Sequence, residues 1–222
     1  MKKIDKKTLI ITSIVTLIPL FVGCILWNQL PDVIPTHFGM DGTPNGWSSK
    51  TFTVFGLPLL MLFFHLLSIG ITTQDPKYDN MSEKVFGIIV WLIPVISLIV
   101  VIASYGGALG WNVNMSKYAV AGTGILFVII GNYLPKCKQN YTIGIKIPGT
   151  LDNEENWNKT HRMAGFIWVV GGILITLNAF VGKEWVFIAI TLVMTLVPVA
   201  YSYLYYKNHK EEKKVTYEKI YK

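Results

Sequence analysis

Charge is scarce in this sequence. Asp, Glu, Lys and Arg make up 15% of its 222 residues, against about a quarter in soluble domains. Hydrophobic residues make up 52%, and the mean hydropathy is +0.45. Such a surface suits lipid better than water. Cysteine is also scarce: Cys24 lies in the first apolar run and Cys137 in a distant hydrophilic stretch, so no disulfide framework is expected. No phosphate-cradling Gly-Lys-Ser/Thr loop is present, and Ser48 and Ser49 lack a nucleophile-and-base context. The first apolar run follows Lys2, Lys3, Lys6 and Lys7 but has no small-x-small cleavage site, so it reads as a retained helix. The net charge of +7 is explained by basic residues flanking apolar runs, where they orient a chain and meet anionic lipid head groups. Direct nucleic-acid binding is not expected.

What is present are six long runs without Asp, Glu, Lys or Arg: 8–28, 51–73, 86–105, 118–134, 164–182 and 185–206. A hydrocarbon core about 30 Å thick needs roughly 20 apolar residues at about 1.5 Å each. The fold class expected is therefore all-α, a polytopic integral membrane protein of six transmembrane helices. Pro19, Pro58, Pro94 and Pro198 fall inside runs, where neighbouring helices can satisfy the carbonyls they free. Lys and Arg number four in the N-terminal tail, two in 74–85, five in 135–163 and six in the C-terminal tail, but only three (Lys50, Lys117, Lys183) in the alternate segments. A split of 17 to 3 predicts both termini in the cytoplasm.

Two segments between runs are long. Residues 29–50 are expected outside and 135–163 inside, and both are rich in Gly, Pro, Asn and Trp, which predicts turns rather than long elements. The first run ends in Asn28-Gln29-Leu30-Pro31 and the fourth in Asn132-Tyr133-Leu134-Pro135. Each precedes a long loop that places a Trp and a Lys before the next helix. These matches suggest two halves, 1–105 and 106–222, related as a 3+3 inverted repeat.

The long loops carry recognisable patterns. Leu30-Pro31, Pro35-Thr36-His37-Phe38-Gly39, Asp41-Gly42, Pro44-Asn45-Gly46-Trp47 and Lys50 look like a small domain of unknown function found in bacterial membrane proteins. Gly131-Asn132-Tyr133-Leu134-Pro135, Lys138, Asn140, Ile143-Gly144-Ile145-Lys146, Pro148, Asn153-Glu154-Glu155, Trp157, Lys159-Thr160-His161-Arg162 and Gly165 resemble the C-terminal signature of the SdpI immunity family. The resemblance implies a bacterial cell-membrane protein that protects against a secreted antimicrobial peptide toxin. It also implies a second role, holding a cytoplasmic transcriptional repressor at the membrane. Two positions depart from the pattern. Lys146 stands where Arg is common, keeping charge but losing bidentate geometry, and Gly149 stands where Trp is common.

The candidate residues follow. His37, Asp41, Asn45 and Trp47 are the expected toxin-facing set. His37 with Asp41 could form a metal or proton-transfer pair, but polar groups capping one another in a turn explain them better. Asn140, Lys146, Glu155, Trp157, His161 and Arg162 form the expected cytoplasmic set, and all of them but Lys146 are expected to hold one another by hydrogen bonds and charge pairs in a compact cap. Asn153 or Asp152 is expected to cap a short helix whose first turn holds Glu154 and Glu155, with Lys159 and Arg162 near its other end. Trp47 and Trp157 read as interfacial anchors. His65 lies mid-run, with no Asp or Glu in any run, and is a functional candidate by position or a neutral hydrogen-bonding group between helices. His37, His65, His161 and His209 are too dispersed by this topology for one metal cluster, so no metal, cofactor or catalytic residue is expected. A small transporter or exporter is the first alternative function, and a membrane-embedded enzyme the second. The inverted repeat and the proline-broken helices speak for the transporter, the absence of an intramembrane carboxylate, Lys or Arg speaks against an ion-coupled one, and no acid–base constellation supports the enzyme.

Overall fold

A computed structural model of the chain describes residues 4–111 and 114–220, with side chains described as far as 209. It contains six helices long and apolar enough to cross a membrane. The chain is a multi-pass, all-α membrane protein.

Helix α1 (Lys6–Ile25) starts at Asp5, whose carboxylate accepts from the Thr8 amide at 3.2 Å. A two-stranded antiparallel hairpin follows, β1 (Val33–Phe38) and β2 (Pro44–Ser49). A π-helical turn, Phe52–Gly56, leads into α2 (Leu57–Thr73). Then come α3 (Glu83–Ala108), capped by the Ser82 hydroxyl, and α4 (Met115–Tyr133), capped by Asn114. After a long connection containing the short α5 (Pro148–Asp152), α6 (Glu154–Val181) and α7 (Glu184–Ile220) complete the bundle. The hairpin shares one membrane face with the α3–α4 and α6–α7 connections. The 134–153 connection shares the opposite face, here the cap face, with the α2–α3 connection.

The two halves pack by different means. Helices α1, α2 and α3 all touch one another, whereas α6 lies between α4 and α7. In lipid, helices gain little from burying apolar surface against each other, so close approach of small residues matters more. Gly124 and Gly131 on α4, seven residues and two turns apart, meet Gly165 and Gly172 on α6. A Cβ on Gly172 would lie 2.5 Å from the Gly124 carbonyl oxygen, and one on Gly131 would lie 2.8 Å from the Val169 amide nitrogen. The two backbones are in direct contact. The large exposed side chains, such as Ile10, Phe21, Phe63, Phe166 and Leu196, lie along the spans and face lipid.

Fully buried apolar clusters sit at the two ends. At the hairpin face Leu30, Ile34, Val54, Val101 and Tyr105 pack together; at the cap face Met81, Val85, Cys137 and Trp157 do.

Three expectations are revised. The 29–50 loop is a hairpin rather than turns alone. Its strands are six residues each and are interrupted by bulges near His37, so no clean alternation marks them. The short helix expected near Asn153 is the start of α6 itself, continuous to Val181, with Asn153 capping through a bond from the Asn156 amide at 2.9 Å. Trp157 is not an interfacial anchor: it is 0% exposed. The basic C-terminal segment continues α7 as far as Ile220.

Candidate functional site

At the hairpin face the sequence builds a rigid, polar-rimmed projection. Ile34 points inward and is fully buried, and Pro35 and Phe38 lie against Gly107 of α3. The strands return through a turn that needs Gly42, at φ 88°. Asp41 closes that turn: its carboxylate accepts from the Thr43 amide at 3.0 Å and hydroxyl at 2.7 Å. Those bonds, the amide first, hold the carboxyl below its ordinary pKa. The tip docks on the start of α4, where Asn114 Nδ2 donates to the Asp41 carbonyl at 3.4 Å and Ser116 Oγ to that of Gly39. The base is pinned by Lys50, which donates to the Trp27 carbonyl at 3.2 Å, pairs with Asp32 at 3.5 Å and lies over the Trp27 ring. On the outer face His37 Nδ1 bonds Asn45 Oδ1, and Trp47 is 57% exposed. His37 and Asn45 are thus brought together. Asp41 bonds Thr43 instead of His37, and Trp47 stands apart on β2.

At the cap face the 134–153 connection is tied down by buried polar side chains. Asn140 is the hinge: its Oδ1 accepts from the Thr142 and Ile143 amides at 2.9 and 2.6 Å, and its Nδ2 donates to the Lys138 carbonyl at 2.9 Å. Trp157 Nε1 donates to the Cys137 carbonyl at 2.7 Å, and burial raises the Cys137 thiol pKa. The His161 ring stacks on that of Trp157, centroids 4.0 Å apart. Its Nδ1 lies 2.8 Å from the Trp157 carbonyl and its Nε2 accepts from the Ile145 amide at 3.0 Å. A carbonyl only accepts and an amide only donates, so the ring is the neutral Nδ1–H tautomer. Gly144, at φ 110°, is required here because a Cβ would strike His161 and Trp157.

The cap also binds elements far off in sequence. Gln139 Nε2 donates to the Thr150 and Leu151 carbonyls at 2.8 and 2.9 Å, while its Oε1 accepts from Lys77. Asp75, buried beyond the end of α2, accepts from the Lys77 and Tyr141 amides, each at 2.8 Å, and from the Thr142 hydroxyl at 2.5 Å. Asn156 Nδ2 donates to the Ser202 carbonyl at 3.1 Å, joining α6 to α7. A Cβ on Gly149 would lie 2.9 Å from Asn156 Nδ2 on α6 and 3.0 Å from Tyr206 Cβ on α7, so α6 and α7 fill the space beside the position where Trp is common.

Of the expected cap residues, the structure brings Asn140, Trp157 and His161 together. Lys146 donates to the Thr142 carbonyl at 2.7 Å from the rim. Glu155 pairs with Lys159 at 2.8 Å on the outer face of α6, and Arg162 is exposed. Sequence reasoning missed Asp75, Gln139, Thr150, Asn156 and Ser202. His65 is 0% exposed, between α1 and α2, with Nε2 3.0 Å from Thr12 Oγ1.

Residues 136–202 match the SdpI/YfhL protein family, and 14–62 match a domain of unknown function (DUF1648). The chain is 29% identical over 205 residues to Immunity protein SdpI of Bacillus subtilis (strain 168), covering 89% of this chain and 95% of that protein.

The region 136–202 carries the SdpI/YfhL family signature.

The matches trace the two sites. The SdpI region begins within the cap, runs through α5 and α6, and ends at Ser202, the residue whose carbonyl Asn156 grips. The DUF1648 region contains most of α1, the whole hairpin and the start of α2. No solved structure matches the chain.

Proposed function

We propose that this protein is a membrane immunity protein that protects a bacterium from a secreted antimicrobial peptide. The observation that carries the reading is the similarity to Immunity protein SdpI along nearly the whole of both chains. The hairpin is the toxin-facing surface: His37, Asp41, Asn45 and Trp47 are the polar and aromatic groups on a projection too well anchored to need ordering when a ligand arrives. The 17-to-3 charge split supports placing the hairpin outside and both termini in the cytoplasm. On the cytoplasmic side the buried cap stabilises the bundle. Its exposed rim, with Lys146, Glu155 and Arg162, offers a repressor a charged docking surface, and the basic termini meet anionic lipid. The function is binding rather than catalysis.

The test is expression in a toxin-sensitive host, challenged with peptide toxins from related gene clusters. Survival above the empty-vector control is expected for at least one toxin; survival equal to the control for all of them contradicts the reading. Orientation is tested separately with Ser49→Cys and Asn158→Cys in a Cys24→Ser, Cys137→Ser background. A membrane-impermeant thiol reagent should label position 49 and spare 158 in intact cells. Equal labelling would overturn the topology.

A further inference from the structure

The hairpin roofs a cavity of about 220 Å³ between α3 and α4. Ala103 and Ser104 line its α3 wall, and Ser116 and Ala119 its α4 wall. The shortness of these side chains makes the room. The helices close below it, where a Cβ on Gly122 of α4 would lie 3.7 Å from Ile99 of α3. The roof is β1, which contributes Thr36, His37 and Phe38. An unbroken strand turns successive residues to opposite faces. Here the register shifts on both sides of His37, and bulges of this kind re-aim side chains, so three consecutive residues line one cavity.

The cavity is mainly apolar. Met40, Ile99, Val100, Met115 and Val120 supply much of its surface, and among the described residues no Asp, Glu, Lys or Arg lines it. Polar groups at its edge are partnered within the protein: Ser116 Oγ with the Gly39 carbonyl, Thr36 Oγ1 with Ser48 Oγ at 3.4 Å, and His37 Nδ1 with Asn45 Oδ1. An occupant is therefore recognised by shape and apolar area rather than by charge. An apolar cavity of about 150 Å³ takes a benzene ring, so this one has room for a side chain the size of Leu, Phe or Trp. Methionine is unbranched and polarisable, so Met40 and Met115 let the walls adapt to different side chains, aromatic rings included.

Of the lining residues only His37 is exposed; the others are buried or half-buried. The mouth therefore lies beside His37, on the hairpin, rather than among the lipid-facing side chains of the spans. It is continuous with the face that carries Asn45, the bonding partner of His37. A ligand reaching it comes from the aqueous side of the hairpin face. Once inside, it touches α3 and α4 at the same time.

We propose that this cavity is the anchoring pocket for a bulky apolar side chain of the secreted peptide, a reading that rests on the hairpin being the toxin-facing surface. A few well-packed anchors carry most of the energy of a protein interface, and the groups around them exclude water. The cavity receives the anchor, and His37 and Asn45 form the rim. The pocket also sets specificity, because a peptide with no bulky apolar residue to insert gains the rim alone.

Two measurements on the full chain test it. The first follows the methyl signals of Met40 and Met115 by NMR in lipid nanodiscs, assigned by their loss in Met40→Leu and Met115→Leu, during titration with N-acetyl-phenylalanine amide. Saturable shifts of both are expected, with none for N-acetyl-glycine amide. None is expected in Ala119→Phe, which fills the cavity from the α4 wall; Ala103→Leu fills it from the α3 wall if that variant does not fold. The second compares survival of a toxin-sensitive host challenged with peptide toxins from related gene clusters. Cells carry the wild type, the cavity-filled variant or Ile125→Phe, a lipid-exposed position of α4, at matched membrane levels. The cavity-filled variant should lose most of the protection, and Ile125→Phe should keep it. No shift with the phenylalanine amide, equal shifts with both amides, lipid acyl chains in contact with both methyl groups in its place, or full protection by the cavity-filled variant would overturn the pocket and leave the immunity reading standing. Failure of the wild type itself to protect would overturn the immunity reading, and with it the peptide as occupant.

Discussion

At Asp75 two effects act in opposite directions on one carboxylate. Burial raises its pKa; the Thr142 hydroxyl and the amides of Lys77, Tyr141 and Thr142 lower it, and together they win. The folded carboxyl thus titrates below its unfolded counterpart. Its stabilisation is complete above the unfolded value of about 4 and is lost as pH falls through the lower folded value. Unfolding followed in detergent between about pH 5 and about pH 3 should show a loss of stability in the wild type that is smaller in Asp75→Asn. An identical loss in both would exclude Asp75 as its source. Trp157 makes a second residue-scale case. Trp157→Phe keeps most of the ring but strands the Cys137 carbonyl, and should cost about 1–3 kcal/mol of unfolding free energy. No measurable change would mean that the Cys137 carbonyl finds another donor. Neither role was legible in the sequence. A Trp near the end of an apolar run reads as an interfacial anchor, and nothing local ties Asp75 to Thr142 across 67 residues. Asn140, Trp157 and His161 were legible as a group, because a polar loop that long must find internal partners to offset its ordering entropy.

Elements were more legible than residues, with two instructive exceptions. The six spans follow from runs free of charge, since an unpaired charge in hydrocarbon is costly. The start of α6 was clipped because its first turns carry Glu154, Glu155, Lys159 and Arg162. A helix can extend out of the hydrocarbon, but a hydropathy run cannot follow it. The hairpin was missed because Pro35 and the bulges around His37 erase the two-residue period. The contact between α4 and α6 tests the packing argument directly. Gly172→Val places a side chain against the Gly124 carbonyl and the Val128 amide, both backbone, and should cost at least about 1–3 kcal/mol. Gly87→Ala is the control: a Cβ there meets nothing within 4 Å. If the two variants unfold at the same temperature in detergent, close backbone contact does not hold the second half together.

At the scale of the whole molecule the hairpin bridges the halves. It belongs by sequence to the first, yet its tip bonds Asn114 and Ser116 at the start of the second. On the opposite face Asp75, Lys77 and Asn80 tie the α2–α3 connection to the cap. The two faces are therefore stapled separately, with each half packing in its own way between them. An immunity protein built like this would present an anchored surface to its toxin rather than a flexible loop. Survival of a toxin-sensitive host tests this most directly. Cells carry either the wild type or a variant combining His37→Ala, Asn45→Ala and Trp47→Ala, at matched membrane levels, and are challenged with a toxin against which the wild type protects. Loss of most of the protection in the variant is the expected result, and full protection by the variant would contradict the assignment of the hairpin as the toxin-facing site.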